Sequence, residues 1–406
     1  MNARPKILFY VQHLLGIGHL MRAGTLARAL EAGGFDTLLV SGGTPVPGFD
    51  ASPARFEQLS PTRATDKFFK VLVDENDNQI DDDWKAGRRD RLLDLYVRET
   101  PDILLIEMYP FGRRQMRFEI EPLLEAANNQ GGRRPLIVSS VRDILVEPDK
   151  PGRVDEMVER VRRYFDLVLI HGDPEFIAFD ETFPRMSEIA DLSSYTGYVV
   201  DPPMVRTTRG AGAGEVIVST GGGAVSDDML EAAIGARARS LQSEIRWRVL
   251  IGHNLPEDAF AAYRDNAPHG VVVERSRPDF RQLLANCRLS ISQGGYNTVM
   301  EVLAARTPAV CIPYAGGLES EQTLRCRLLA AGGAMEIVEQ GSVDAAHVAA
   351  AVDRALSAGP APVSGLDLGG AENSCSVLKA ALDRHIGAPT AADSPEMLVN
   401  PDNRSG

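Results

Sequence analysis

Ile291-Ser292-Gln293-Gly294-Gly295-Tyr296-Asn297-Thr298-Val299-Met300-Glu301 reads as a strand, a glycine turn and the start of a helix. Apolar spacing predicts a strand over 288–292. Gly294-Gly295 then lets the backbone turn sharply and approach a ligand closely. A helix begins near Asn297, with Glu301 one turn in. A strand that feeds a helix through a glycine turn is the building unit of a parallel α/β sheet. The free N–H groups at such a helix start favour anionic groups, and a diphosphate fits there. Glu301 has two oxygens that can bridge vicinal ribose hydroxyls. The competing reading is a satisfied carboxylate on a helix surface.

Two further turns of this kind lie upstream. Gly16-Ile17-Gly18-His19-Leu20-Met21-Arg22 follows the first predicted strand, 6–12. Its spacing is not that of a dinucleotide fingerprint, and His19 stands where such a fold keeps a small residue. A histidine at a cleft mouth, with its pKa near neutrality, suits a general base; otherwise it caps the helix. Val216-Ile217-Val218-Ser219-Thr220-Gly221-Gly222-Gly223-Ala224 runs a strand into three glycines, a phosphate cradle without the lysine of a P-loop.

Along the rest of the chain, short apolar runs, most of them continuous, predict strands at 36–41, 103–108, 135–141, 167–171, 215–219, 246–251, 271–274, 309–313 and 335–338. Helical spacing separates them: Leu20, Ala23, Ala27 and Leu30 recur at three and four, and Gly33-Gly34 ends that helix. The pattern predicts two Rossmann-like, doubly wound α/β domains, residues 1–200 and 215–370. A Pro- and Gly-rich linker, 201–214, joins them. A helix over 371–388 and a flexible tail over 389–406 complete the chain. Domains of this kind bind ligands at the carboxyl ends of their strands, so two facing domains share a cleft.

The chain has 406 residues and a formal net charge of -13, which argues against binding a nucleic-acid backbone. Four cysteines without a CxxC pair predict neither a disulfide framework nor a zinc site. No apolar run reaches the ~18 residues of a membrane span, and the N-terminus lacks a signal-peptide cleavage site. A cytoplasmic protein is expected. Asp81-Asp82-Asp83 lacks the preceding strand of a metal-binding Asp-x-Asp, so a solvated loop is the better reading. The arginine clusters 88–91, 113–117 and 160–163 are interleaved with acids, which favours solvated helix faces over contact with lipid. Glu107 is the single charge at the carboxyl end of its buried strand, where an unpaired carboxylate is costly. Either it serves the site or it pairs with Arg113 or Arg142.

The segment Gln293 to Glu301, with Glu321-Gln322 downstream, resembles the nucleotide-sugar signature of GT-B glycosyltransferases. In plant-type UDP-sugar transferases that signature reads His-Cys-Gly-Trp-Asn-Ser-x-x-Glu, followed by Asp-Gln. The Ser219 to Gly223 loop and the Gly16 to His19 turn are similar to those of the MurG-like family 28 enzymes. The resemblance implies a GT-B fold and metal-independent, inverting transfer of a hexose from a UDP- or dTDP-sugar to an acceptor hydroxyl, with no cofactor. It places Gly18, Ser219, Thr220, Gly221, Gly222, Gln293, Gly294, Gly295, Asn297 and Thr298 about the donor's diphosphate. Glu301 would take the ribose, and Glu321 and Gln322 the sugar. His19 would be the base, oriented by Glu107. Gln293 stands where the family has histidine, and residues 275–279 lack its base-stacking tryptophan. The Gly-His-x-x-Arg form also resembles nucleotide-sugar hydrolases of the pseudaminic acid pathway, where the histidine activates water. Sugar-nucleotide 2-epimerases are more distant. A non-catalytic nucleotide-sugar sensor would keep Glu301 and the glycines but gives no reason for His19.

Overall fold

A computed structural model describes residues 3–66, 69–146, 152–221, 227–314, 320–359 and 365–387. Gly222, Glu319 and the expected tail 389–406 lie outside the described residues. The N-terminal sheet contains β1 (Lys6–Val11), β2 (Asp36–Ser41), β3 (Arg55–Gln58), β6 (Ile103–Glu107), β7 (Leu136–Arg142), β8 (Leu167–His171) and β9 (Ser193–Tyr195). A short ribbon of β4 (Arg63–Ala64) and β5 (Leu72–Val73) lies beside it. The C-terminal sheet contains β10 (Val216–Ser219), β11 (Trp247–Ile251), β12 (Val271–Arg275), β13 (Leu289–Ser292), β14 (Ala309–Cys311) and β15 (Glu336–Ile337).

Both sheets are parallel throughout. The strand orders are β3-β2-β1-β6-β7-β8-β9 and β12-β11-β10-β13-β14-β15. The order therefore reverses between β1 and β6 in one sheet and between β10 and β13 in the other. At such reversals the connecting helices depart to opposite faces and leave a crevice. Every strand read from the sequence is present. The additional ones are short or marginal: Arg55 and Phe56 of β3 are exposed, and the segment sits at the sheet edge.

The helices are α1 (Gly18–Ala32), α2 (Asp82–Glu99), α3 (Arg117–Asn128), α4 (Arg153–Tyr164), α5 (Asp227–Ala236), α6 (Glu257–Asp265), α7 (Phe280–Asn286), α8 (Tyr296–Ala305), α9 (Glu321–Ala331), α10 (Ala345–Ala358) and α11 (Gly370–Gly387). Along β1 alternate residues face opposite layers: Ile7, Phe9 and Val11 meet α1, while Leu8 and Tyr10 meet α2 and α3. The predicted stripe Leu20, Ala23, Ala27 and Leu30 is the buried face of α1. α11 returns from the C-terminal half to pack on α1, burying Leu378 and Leu382 in the N-terminal core. Burying each such leucine is worth about 1.5–3 kcal/mol.

Asp81 caps α2 by accepting from the Trp84 amide at 2.8 Å, and Asp82 and Asp83 occupy its first turn. Carboxylates there offset the exposed N–H groups of the helix, so this acidic run has a structural explanation. The arginine clusters are laced to acids. Arg88 is fully buried against Glu119, and Arg117 and Arg160 hold Glu121 and Glu156.

Candidate active site

The polar residues at the carboxyl ends of the N-terminal strands converge. His19 lies in the first turn of α1, and its Nδ1 is 3.0 Å from Oε1 of Glu107, the last residue of β6. The same oxygen accepts from Arg22, one turn along α1. The other oxygen accepts from Ser140 Oγ at 2.6 Å, and Ser140 lies 2.9 Å from His171 Nε2. His171 Nδ1 is 2.8 Å from Thr196 Oγ1. Burial alone would raise the pKa of Glu107, but Arg22, His19 and Ser140 outweigh it and hold the carboxyl well below its usual range.

That ionisation fixes the protons outward from the carboxylate. Glu107 can only accept, so His19 donates from Nδ1 and keeps the lone pair on Nε2. Ser140 spends its hydrogen on Glu107, so His171 donates to it from Nε2 and accepts from Thr196 at Nδ1. Burial lowers the pKa of His19 well below 6.5, and Arg113 lowers it further against the opposing pull of Glu107. His171 is pushed down to about 3 by burial and Arg22. Both rings are neutral at pH 7.

In the C-terminal half, Gln293 follows β13, and Gly295 caps α8 with no side chain bonded to its free amides. Gly294 has φ +82°, and a β-carbon there would stand 2.4 Å from Cys326 Sγ, so only glycine fits. Gln293 is buried, and its Nε2 has no hydrogen-bond partner among the described residues. Ser219 ends β10. Thr220 Oγ1 accepts from the Gly252 amide at 3.1 Å, and Gly221 turns the chain at φ +68°. Thr298 and Glu301 are half-buried on α8. Glu301 has no hydrogen bond or ion pair among the described residues. Burial pushes its pKa up to about 7, with Arg281 opposing and Asp201 adding to the shift.

The two halves meet at the same place. Asn297 Nδ2 donates to the Gly18 carbonyl at 2.9 Å, setting the donor-type loop against the turn that carries His19. Tyr296 inserts into the N-terminal half. Its hydroxyl donates to the His171 carbonyl at 3.3 Å and accepts from the Val199 amide at 3.0 Å. The Arg22 and Arg325 guanidiniums lie 5.2 and 5.3 Å from its ring centre.

Glu321 differs from the expectation. Its oxygens lie 2.8 Å from Arg325 and 2.5 Å from Arg142, and Arg325 also pairs with Asp143 at 2.8 Å. The carboxylate is buried and spent on two arginines, so it is not open to a sugar hydroxyl here. Gln322 accepts from the Tyr314 amide at 3.2 Å, which leaves its amide hydrogens unassigned.

Sequence reading does not single out Ser140, His171, Asp143 or Arg325, takes Arg22 and Tyr296 only as parts of motifs, and offers Arg113 or Arg142 as the partner of Glu107, which pairs with Arg22 instead. A usable signal existed for three of them: Arg142 and His171 end buried strands just as Glu107 does, and Asp143 follows directly.

The glycosyltransferase family 28 C-terminal domain matches residues 216–364. The UDP-N-acetylglucosamine--N-acetylmuramyl-(pentapeptide) pyrophosphoryl-undecaprenol N-acetylglucosamine transferase of Rhodospirillum centenum is 32% identical over 127 residues, covering 30% of this chain and 33% of that protein. The protein of the same name from Paramagnetospirillum magneticum is 24% identical over 209 residues, 51% of this chain and 50% of that one. The chain thus spans about a third to a half of these relatives. Solved structures match over nearly the whole length. A calicheamicin glycosyltransferase superposes with TM-score 0.60 at 18% identity, covering 96% of this chain and 100% of that one. MurG of Acinetobacter baumannii gives 0.51 at 14% identity, covering 94% and 99%. At these identities the structural likeness speaks for the fold, which is GT-B. Residues 216–364 thus match the glycosyltransferase family 28 C-terminal domain, within a chain whose fold is GT-B.

Proposed function

We propose that the protein transfers a sugar from a nucleotide-diphosphate sugar, UDP- or dTDP-linked, to an acceptor hydroxyl. The observation that carries this reading is the His19–Glu107 pair, seated on the turn that Asn297 of the opposite loop touches. A neutral imidazole with its lone pair on Nε2 is ready to take a proton. Glu107 keeps that tautomer and stabilises the imidazolium formed during transfer.

The donor would lie along the C-terminal switch point. The amides from Gly294 to Asn297 and those after Ser219 would hold the diphosphate. Thr298 and the free Gln293 amide would add donors to it, and Glu301 would accept from the ribose. Gln322 would read the sugar, with Glu321 reserved for the arginines. Attack by the deprotonated hydroxyl on the anomeric carbon, opposite the departing diphosphate, inverts the configuration. The helix dipole and the oriented amides stabilise the charge that develops on the leaving group.

The test is calorimetric titration of UDP, dTDP and their hexose conjugates into the full chain, followed by nucleotide release with candidate acceptors in chelator-treated buffer. Binding of at least one nucleotide and acceptor-stimulated release support the proposal. Release at full rate without acceptor would make it a hydrolase, and binding without any release would make it a sensor.

A further inference from the structure

The charges around His19 leave one cation over. Arg22 pairs with Glu107, Arg142 with Glu321, and Arg325 with Asp143. Arg113 acts electrostatically on His19, Glu107, Arg142 and Arg22, yet no carboxylate pairs with it among the described residues. Its Nε donates to the Gln12 carbonyl, and its terminal nitrogens have no protein acceptor there.

The position is built. Gln12 directly follows β1, and Arg113 follows β6 through the turn closed by the Gly112 amide on the Met108 carbonyl at 2.8 Å. The guanidinium therefore spans the switch point of the N-terminal sheet, where a doubly wound sheet binds its ligand. Its backbone is left-handed at φ +62°, a conformation that a residue other than glycine keeps only when its surroundings hold it. Burial, with Arg142 and Arg22 adding to it, lowers the guanidinium pKa to about 10, so the group stays charged at pH 7. Arg113 is half-buried, so its fork is open to an incoming anion. The fork of an arginine matches carboxylate and phosphate oxygens.

We propose that Arg113 is the anion-binding residue of the N-terminal half, holding a carboxylate or phosphate group of the acceptor beside the hydroxyl that His19 deprotonates. This rests on the transferase reading for what the anion belongs to. The donor's diphosphate faces the amides of the other half, and Arg113 stands on the acceptor side.

The test is titration of UDP into the full chain and into Arg113→Gln, then of inorganic phosphate into the UDP-saturated proteins. Arg113→Lys keeps the charge, and thermal melting checks the fold of each variant. The expected result is UDP affinity within about twofold in all three. Phosphate affinity falls roughly ten- to a hundredfold in Arg113→Gln, the range for a lost charge-assisted contact, and far less in Arg113→Lys. Equal phosphate affinity in wild type and Arg113→Gln, or no phosphate binding by either, overturns the proposal. A matching loss of UDP affinity also overturns it and gives Arg113 to the donor's diphosphate. If UDP binds none of the proteins, the transferase reading fails separately, and phosphate titrated into the UDP-free proteins still decides the anion site.

Discussion

His19 and Glu301 show how burial sets opposite protonation demands on two groups of one cleft. The pKa of His19 is depressed below 6.5, so its neutral form persists through pH 7 and is lost only under more acid conditions. The acid limb of a kcat profile should therefore fall below pH 6.5; a limb at or above 6.5 would show that another group is the base. Glu301 is displaced the other way, to about 7, from an ordinary 4.5. The folded chain then keeps a proton that the unfolded chain has released, so stability declines as pH rises from about 4.5 to 7 and stays reduced above that range. Glu301→Gln should accordingly raise Tm at pH 8 and change it little at pH 4.5. The same variant should bind UDP roughly ten- to a hundredfold more weakly, as expected for a lost charge-assisted contact to the ribose. A Tm gain with unchanged UDP affinity would leave the strain explained and the ribose role refuted.

The strand-to-helix turns separate residues that shape the fold from residues that meet the ligand. Gly294 and Gly295 are neighbours in sequence, but only Gly294 combines a left-handed φ with a β-carbon clash. Gly294→Ala should cost about 1–2 kcal/mol for the backbone and about 1–3 more for overpacking on Cys326, read as a lower Tm. Gly295 has open space around a hypothetical β-carbon. Gly295→Ala should keep Tm and weaken UDP, because the added methyl intrudes where the diphosphate approaches. Equal Tm losses in the two variants would contradict this division.

These turns and their strands are legible because β1, β6 and β10 are buried on both faces and read as apolar runs, while β13 is marked by the glycine turn that follows it. Strand β3, with its polar Arg55, Glu57 and Gln58, carries no such signal, and its place is set by pairing with β2. The pairing of His19 with Glu107 is what the family resemblance implies, while Glu107's place at the end of a buried strand marks it as a charge in need of a partner. Ser140 could not be placed, since a serine in β7 looks like any other until the strands are ordered.

Across the whole molecule, the two halves are joined by buried ions. Arg325 and Asp143 are fully buried, 2.8 Å apart, and 182 positions apart in sequence. No local pattern reveals such a pair, and Glu321, to which the resemblance gives the sugar, has its oxygens on Arg142 and Arg325 at this junction. Removing one partner of a buried pair typically costs about 3–5 kcal/mol, and because Arg325 keeps Glu321 at 2.8 Å the cost here falls toward the lower end. Asp143→Ala should lower the Tm of the full chain accordingly. Asp143→Ala combined with Arg325→Met should recover much of the loss, since it removes the stranded charge. A single variant that melts like wild type would mean the junction does not bind the halves together.

The measurement that bears most directly on the central claim compares wild type with His19→Ala in two readouts: UDP affinity, and release of nucleoside diphosphate from the donor that binds. Loss of a general base typically lowers rate by about 10²–10⁴. The expected result is a loss of that size with UDP affinity nearly unchanged, because the proposed donor site lies on the other sheet. Undiminished release, or a collapse of UDP affinity with the turnover of bound donor intact, would contradict it and make His19 a phosphate ligand or a bystander.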